Sequence, residues 1–213
     1  MTTQDKGRET KELIVSTAME LFMSKGYDSA TMQNIMDETG LSKGALYHHF
    51  KSKNDILDYA MTEELNHVTH YLGNVVARDD LRPVEKMDVL IDYLLNNDNM
   101  QRLTEFNWTE KIPFGLLFTL RNTLNVLSNY VSEIIKQGND SGDFKCAYPD
   151  EAASVLLLLV DIWLDPTIVD SSYNDVLRKI DYLSDFLDFN NIPILSDEKK
   201  RFLKEKIKSF YVS

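Results

Sequence analysis

Apolar residues in this chain return every three or four positions and hardly ever every second one, which commits it to helices packed on helices. Leu13/Ile14, Ala18 and Leu21/Phe22 form the first stripe, and Gly26 ends it. Thr31 stands as N-cap of a short helix through Ile35, Met36 and Thr39 that stops at Gly40. Ser42 caps a second short helix, with Leu46 and Phe50 one turn apart facing inward. Ser52-Lys53-Asn54-Asp55 then opens a longer helix, Asp55 taking the capping-box position, and Ile56/Leu57, Tyr59/Ala60 and Leu65 carry it past residue 70.

The same period continues downstream. Pro83 opens a helix with Val84, Met87, Leu90/Ile91 and Leu94/Leu95 on one face, and a short helix is expected around Met100–Trp108. From Pro113 to Gln137 the spacing predicts one helix of about 37 Å, followed by a turn cluster over 138–143. Pro149 starts a helix whose body, Val155 to Leu164, is apolar on nearly every face and must be covered on both sides; Asp165 before Pro166 ends it. Tyr173–Phe189 carries two stripes, Val176/Ile180/Leu183/Leu187 and Tyr182/Phe186/Phe189, as a helix wedged between its own core and a second subunit does. Glu198–Tyr211 reads as a basic amphipathic tail. The expected fold is all-α: a three-helix helix-turn-helix module over residues 1–55, then a helical body over 56–213.

A chain of 213 residues buries a core without staples. The lone Cys146 excludes an internal disulfide and suits a reducing compartment. The polar start is unlike a secretory leader, and the longest apolar run, Val155–Val160, is too short to span a membrane, so a cytoplasmic protein is expected. A net charge of −11 argues against indiscriminate nucleic-acid binding, but charge acts locally. Gly40 to Lys53 holds Lys43, Lys51 and Lys53 and no acid.

That basic stretch coincides with the helix-turn-helix. Gly40 allows a left-handed turn, Leu41 pins it, and Ser42 caps the helix from Lys43 to His49. Gly44 and Ala45 leave room for close approach, Tyr47, His48 and His49 supply donors on flat bodies, and Lys53 opens a helix where a phosphate is favoured. Thr31 through Leu57 resembles the DNA-binding segment of the TetR family of bacterial transcriptional repressors, most closely over Gly40–Phe50 and Ser52-Lys53, with Ala18, Leu21-Phe22 and Gly26 matching that family's first helix. Met36 and Thr39 stand where alanine is usual there, and Asn54 where glutamate is.

The resemblance implies a homodimer on a near-palindromic operator in double-stranded DNA, without enzymatic activity or cofactor. A C-terminal ligand-binding and dimerisation domain would release the DNA on binding a small-molecule inducer, by changing the separation of the two reading heads. By position, Gln33, Lys43, Ala45 and His49 match residues that approach bases; Thr31, Gly44, Tyr47, His48 and Lys53 match residues on phosphates. Control by a partner protein in place of a small ligand is the alternative.

Other features carry competing readings. Glu64-x-x-His67, with Glu63 and His70 nearby, has the spacing of one half of a di-metal site, but no second copy exists; a solvated helix surface is the expectation, a metal-binding enzyme the alternative. Asp161 and Asp165 lie one turn apart in an apolar helix and could face a cationic inducer or simply a bundle edge. Trp108, Phe114, Phe118 and Trp163 could line a pocket, with Arg121 and Asn122 as polar partners, or be ordinary packing. The basic tail reads as a solvated face, and Cys146 as a small packed hydrophobe.

Overall fold

The computed structural model describes residues 3–95, 112–165 and 168–208, and every regular element in them is helical. The chain divides into two compact units, and one point of division falls inside a helix, between Val68 and Thr69. The helix around Met100–Trp108 and the last residues of the tail lie outside the described residues.

The first unit holds α1 (Thr3–Lys25), α2 (Met32–Thr39), α3 (Lys43–His49) and the start of α4 (Lys53–Val76). Ile14, Ala18, Leu21 and Phe22 of α1 meet Ile35, Leu46, Phe50, Ile56 and Leu57 in one buried cluster, to which Ile112 adds. Full burial of such a side chain is worth about 1.5–3 kcal/mol, enough to fix helices too short to persist alone. Gly40 ends α2 at φ 68°, its N–H donating to the Met36 carbonyl, and Leu41 packs against the cluster behind it.

The second unit holds the rest of α4, α5 (Pro83–Leu95) and most of α6 (Pro113–Asn122). Next come α7 (Ser128–Ser141), α8 (Pro149–Leu158), α9 (Tyr173–Phe189) and α10 (Asp197–Lys208). Helix α7 packs on α5 and α8, and α10 packs on α9. Val131, Ile134 and Ile135 of α7, Ala152, Ala153 and Leu156 of α8, and Val176, Ile180, Leu183 and Leu187 of α9 are buried. The second stripe of α9 stays largely uncovered, Tyr182 at 55% and Phe189 at 87% exposure.

Three expectations need correction. The helix from Pro113 is not uniform: α6 passes through a π-helical segment, Thr123–Leu127, into α7. It also runs to Ser141 instead of stopping at Gln137, so most of the expected turn cluster is helix, closed by Gly142 at φ 84°. Gly138 is there for contact, not for a turn. Phe144 folds back over it so closely that a Cβ would fall 1.9 Å from the ring. The Phe144 N–H donates to the Gly138 carbonyl at 2.9 Å. Likewise α8 is regular only to Leu158 and continues as a π segment, Leu159–Trp163.

Lysines fasten several helix ends. Lys86, 4% exposed, donates to the Val76 carbonyl at the end of α4 (2.7 Å) and to Gln137 Oε1 of α7 (2.6 Å). Lys179 donates to the Trp163 carbonyl (2.5 Å) and to Ser171 Oγ (2.7 Å), and burial lowers its pKa against the pull of Asp175. In the tail, Lys199 pairs with Asp88 of α5 and Lys204 with Asp181 of α9, while Lys200 pairs with Asp197 of its own helix.

Gly138→Ala is expected to lower the unfolding free energy by about 1–3 kcal/mol, because the Phe144 ring must move out of a packed site. Gly7→Ala, at a helical position where an added Cβ meets nothing within 4 Å, should instead raise it slightly, by about 0.5–1 kcal/mol. Urea unfolding midpoints of the two variants check both signs.

Candidate nucleic-acid interface

Helix α3 is held from behind and open in front. Ser42 Oγ accepts the Ala45 N–H (3.2 Å) at its start, and the Phe50 N–H returns to the Leu46 carbonyl (3.1 Å) at its end. Leu46 is fully buried and Phe50 nearly so. Lys43, Gly44 and His48 are exposed, while Ala45, Tyr47 and His49 are half-buried. An added Cβ at Gly44 meets nothing within 4 Å, so no internal contact demands a glycine there. The room it leaves is room for something outside the protein.

Basic groups gather on this helix. Lys43 Nζ lies 5.9 Å from the centre of the Tyr47 ring, and Lys51 Nζ donates to the Tyr47 carbonyl at 3.0 Å. His48 and His49 meet edge to face at 5.3 Å, and burial, His48 and Lys11 together hold the His49 pKa below its usual value. The α2 residues stand at that helix's first turn. Thr31 Oγ1 accepts the Asn34 N–H and Asn34 Oδ1 accepts the Thr31 N–H, each at 3.1 Å. Gln33 is exposed, its amide nitrogen donating to Asp37 Oδ1 at 2.7 Å.

The Lys53 side chain turns back onto its own domain. Its ammonium donates to the carbonyls of Tyr27 (2.7 Å), Asp28 (3.1 Å) and Ala30 (3.1 Å) and lies 4.4 Å from the centre of the Tyr27 ring. The sequence holds no signal for this, since every hydrogen-bond partner is a backbone atom more than twenty residues upstream. Asn54 accepts from Tyr27 Oη (3.4 Å) and donates to Asp58 (2.8 Å), and Thr39 Oγ1 donates to the Ile35 carbonyl (2.6 Å).

The candidate ligand residues of the body are scattered. Trp108 lies outside the described residues. On α6, Phe114 is 66% exposed and Arg121 is exposed, while Asn122 donates to the Phe118 carbonyl (2.9 Å). Trp163 meets Tyr182 edge-on at 5.5 Å. Asp161 also reaches across elements: its Oδ2 accepts from Thr123 Oγ1 at 2.9 Å, joining the two π segments. Sequence reasoning passed over Thr123, which is fully buried. In a π segment the regular four-residue carbonyl pairing lapses. Here Asn122, Asn125, Ser128 and Asn129 each donate to the carbonyl four residues earlier.

Glu64 and His67 are both exposed on α4, and among the described residues no three His, Cys, Asp or Glu side chains gather where a metal could be held. No helix among them is long and apolar enough to cross a membrane.

Burial pushes the Asp161 carboxyl up to about 6, against the lowering by Thr123 and with Asp165 adding to the rise. The folded state therefore holds a proton that the unfolded chain has released between about pH 4 and 6. Stability should fall through that window as pH rises, by on the order of 1–3 kcal/mol, and stay lost above it. Asp161→Asn, which keeps an acceptor for Thr123, should flatten that fall and be the more stable protein at pH 7.5, as urea titrations across pH 4–8 would read.

Residues 14–60 match the family described as bacterial regulatory proteins, tetR family. The chain is 27% identical over 187 residues to the HTH-type transcriptional regulator PksA of Bacillus subtilis, covering 80% of this chain and 86% of that protein. Two solved structures share the fold at 17% identity. One is a putative TetR-family transcriptional regulator from Mesorhizobium loti (TM-score 0.57, 99% of this chain and 97% of that one). The other is a gamma-butyrolactone receptor described as ArpA-like (TM-score 0.53, 96% and 97%).

Proposed function

We propose that the chain, whose residues 14–60 match the tetR family and which is similar to PksA over most of its length, is a TetR-family transcriptional regulator and not an enzyme: a cytoplasmic repressor that binds a near-palindromic operator as a homodimer and is released by a small-molecule inducer. The observation that carries the DNA-binding part is the outer face of α3. Its lysine, glycine and histidine are uncovered, while Leu46 and Phe50 lock its inner face to the core. A helix held so can enter a major groove without loosening the domain that presents it.

The roles divide by chemistry. Lys43, Ala45 and His49 of α3, with Gln33 of α2, approach base edges. Thr31, Gly44, Tyr47 and His48 meet phosphates, and the backbone at Lys53 adds the N-terminal end of α4. Lys43 and Lys51 supply local positive charge on a protein that is acidic as a whole, so binding should be steeply salt-dependent.

The dimer reading draws on the uncovered apolar positions of α8 and α9. Val155 (41%), Tyr182 (55%) and Phe189 (87%) are more exposed than stripes of this kind are in a monomer core. The inducer reading draws on the family and on the polar link from Thr123 to Asp161 inside an otherwise apolar body.

Duplex DNA from the chain's own upstream region, in gel shifts at two salt concentrations, tests the central reading; no retarded complex in dilute buffer would end it. Gln33→Ala should lose about 1–3 kcal/mol of discrimination at one base pair and little elsewhere, as a single-substitution operator series would read. Tyr182→Asp with Phe189→Asp should turn a dimer into a monomer by light scattering and weaken operator binding, while helical content measured by circular dichroism stays the same.

A further inference from the structure

We propose that Lys53 is a positioning residue for base reading from α2: its ammonium clamps the turn between α1 and α2, fixing where Thr31 and Gln33 stand. The proposal rests on the DNA-binding reading above.

The geometry is a full account of the ammonium's hydrogen-bonding capacity. A lysine ammonium has three N–H donors. Three carbonyl oxygens, of Tyr27, Asp28 and Ala30, take them at 2.7, 3.1 and 3.1 Å. A phosphate oxygen reaching Nζ would have to displace one of these. A cation in the first turn of a helix also works against the helix dipole. The convergent carbonyls, and the Tyr27 ring 4.4 Å away, offset that cost.

Gly26 turns out of α1 at φ 82°, and the Ala30 N–H reaches the Gly26 carbonyl at 3.2 Å. Tyr27 is fixed by an edge contact with Phe22 at 5.1 Å and by its hydroxyl's bond to Asn54, next to Lys53. Asp28 is exposed, while Ala30 is fully buried in the core cluster with Met32 packed against it. The last clamped carbonyl, that of Ala30, directly precedes Thr31, which caps α2, and Gln33 follows two residues later.

The far end of α2 is secured independently, by Gly40 and by Leu41 against the core. Loss of the clamp is expected to loosen the backbone leading into α2, where the Thr31–Asn34 capping box remains, while leaving α3 seated. The two reading elements then respond differently to one substitution.

The test pairs Lys53→Met with Lys53→Arg, after circular dichroism confirms that both fold; should Lys53→Met not fold, Lys53→Gln replaces it. In the free protein, amide hydrogen exchange at Ala30 and Thr31 should speed up by roughly tenfold in Lys53→Met, as befits lost bonds to a charged donor, with the amides of α3 unchanged.

On the best duplex that the wild-type protein selects from a randomised pool, preference should drop roughly tenfold at the base pair assigned to Gln33 by Gln33→Ala. Preference at pairs lost in Lys43→Ala or His49→Ala should hold. Lys53→Arg should not restore the α2 preference, because a planar guanidinium fork cannot meet three converging carbonyls as an ammonium does. Unchanged exchange at Ala30 and Thr31 overturns the proposal. So does uniform weakening on all sequences with full rescue by arginine, the signature of a phosphate contact. If no duplex binds the wild-type protein, the DNA-binding reading fails by itself, and the base-reading role falls with it; the exchange measurement then still decides whether the clamp exists.

Discussion

A protein made only of helices must dispose of the carbonyls left open where each helix ends, and here that task falls repeatedly to lysine. Helix ends leave backbone groups without internal partners, and burying such a group unpaired is costly. Lys86 closes the end of α4, Lys179 the end of the π segment after α8, and Lys53 the turn leaving α1. Each also reaches a further group: Gln137 for Lys86, Ser171 for Lys179, and for Lys53 the carbonyls of Asp28 and Ala30 in the same turn. Apolar packing brings the helices together without specifying direction. A directional bond from a half-buried or buried cation to a carbonyl does specify it, and each of these lysines fixes where one element stops and the next begins.

The same logic explains how an acidic protein presents a basic face. The carboxylates outnumber the cations, yet several lysines are already engaged: Lys199, Lys200 and Lys204 with acids, Lys86 and Lys179 with carbonyls. The run from Gly40 to Lys53 has no acid to neutralise it. Lys43 is left exposed beside an aromatic ring, and the exposed Lys51 donates its ammonium to the Tyr47 carbonyl of α3. Local composition and not net charge decides what that surface can attract.

Much of this was legible in the order of residues, because the helical period and the capping residues are both local signals. Thr31 and Ser42 cap the helices they were expected to cap, and Leu46 and Phe50 are buried as their one-turn spacing implies. The two stripes of α9 separate into one buried and one largely uncovered. What escaped was what depends on distant backbone or on one extra residue. The partners of Lys53 are carbonyls, which no side-chain pattern announces. A π segment leaves the apolar spacing nearly intact while shifting its phase. Gly138 reads as a helix stop because small residues in a polar cluster normally are stops; here the ring of Phe144 occupies the space a side chain would need.

The π segments at Thr123–Leu127 and Leu159–Trp163 bear on how the body tolerates changes in length. Each accommodates one residue more than a regular helix would across the same rise. Deleting one residue inside either stretch can be absorbed by reversion to ordinary α geometry, with the flanking turns keeping their neighbours. The same deletion in α9 would rotate Val176, Ile180, Leu183 and Leu187 away from the core they fill. Slack in the chain is therefore concentrated where Thr123 and Asp161 meet.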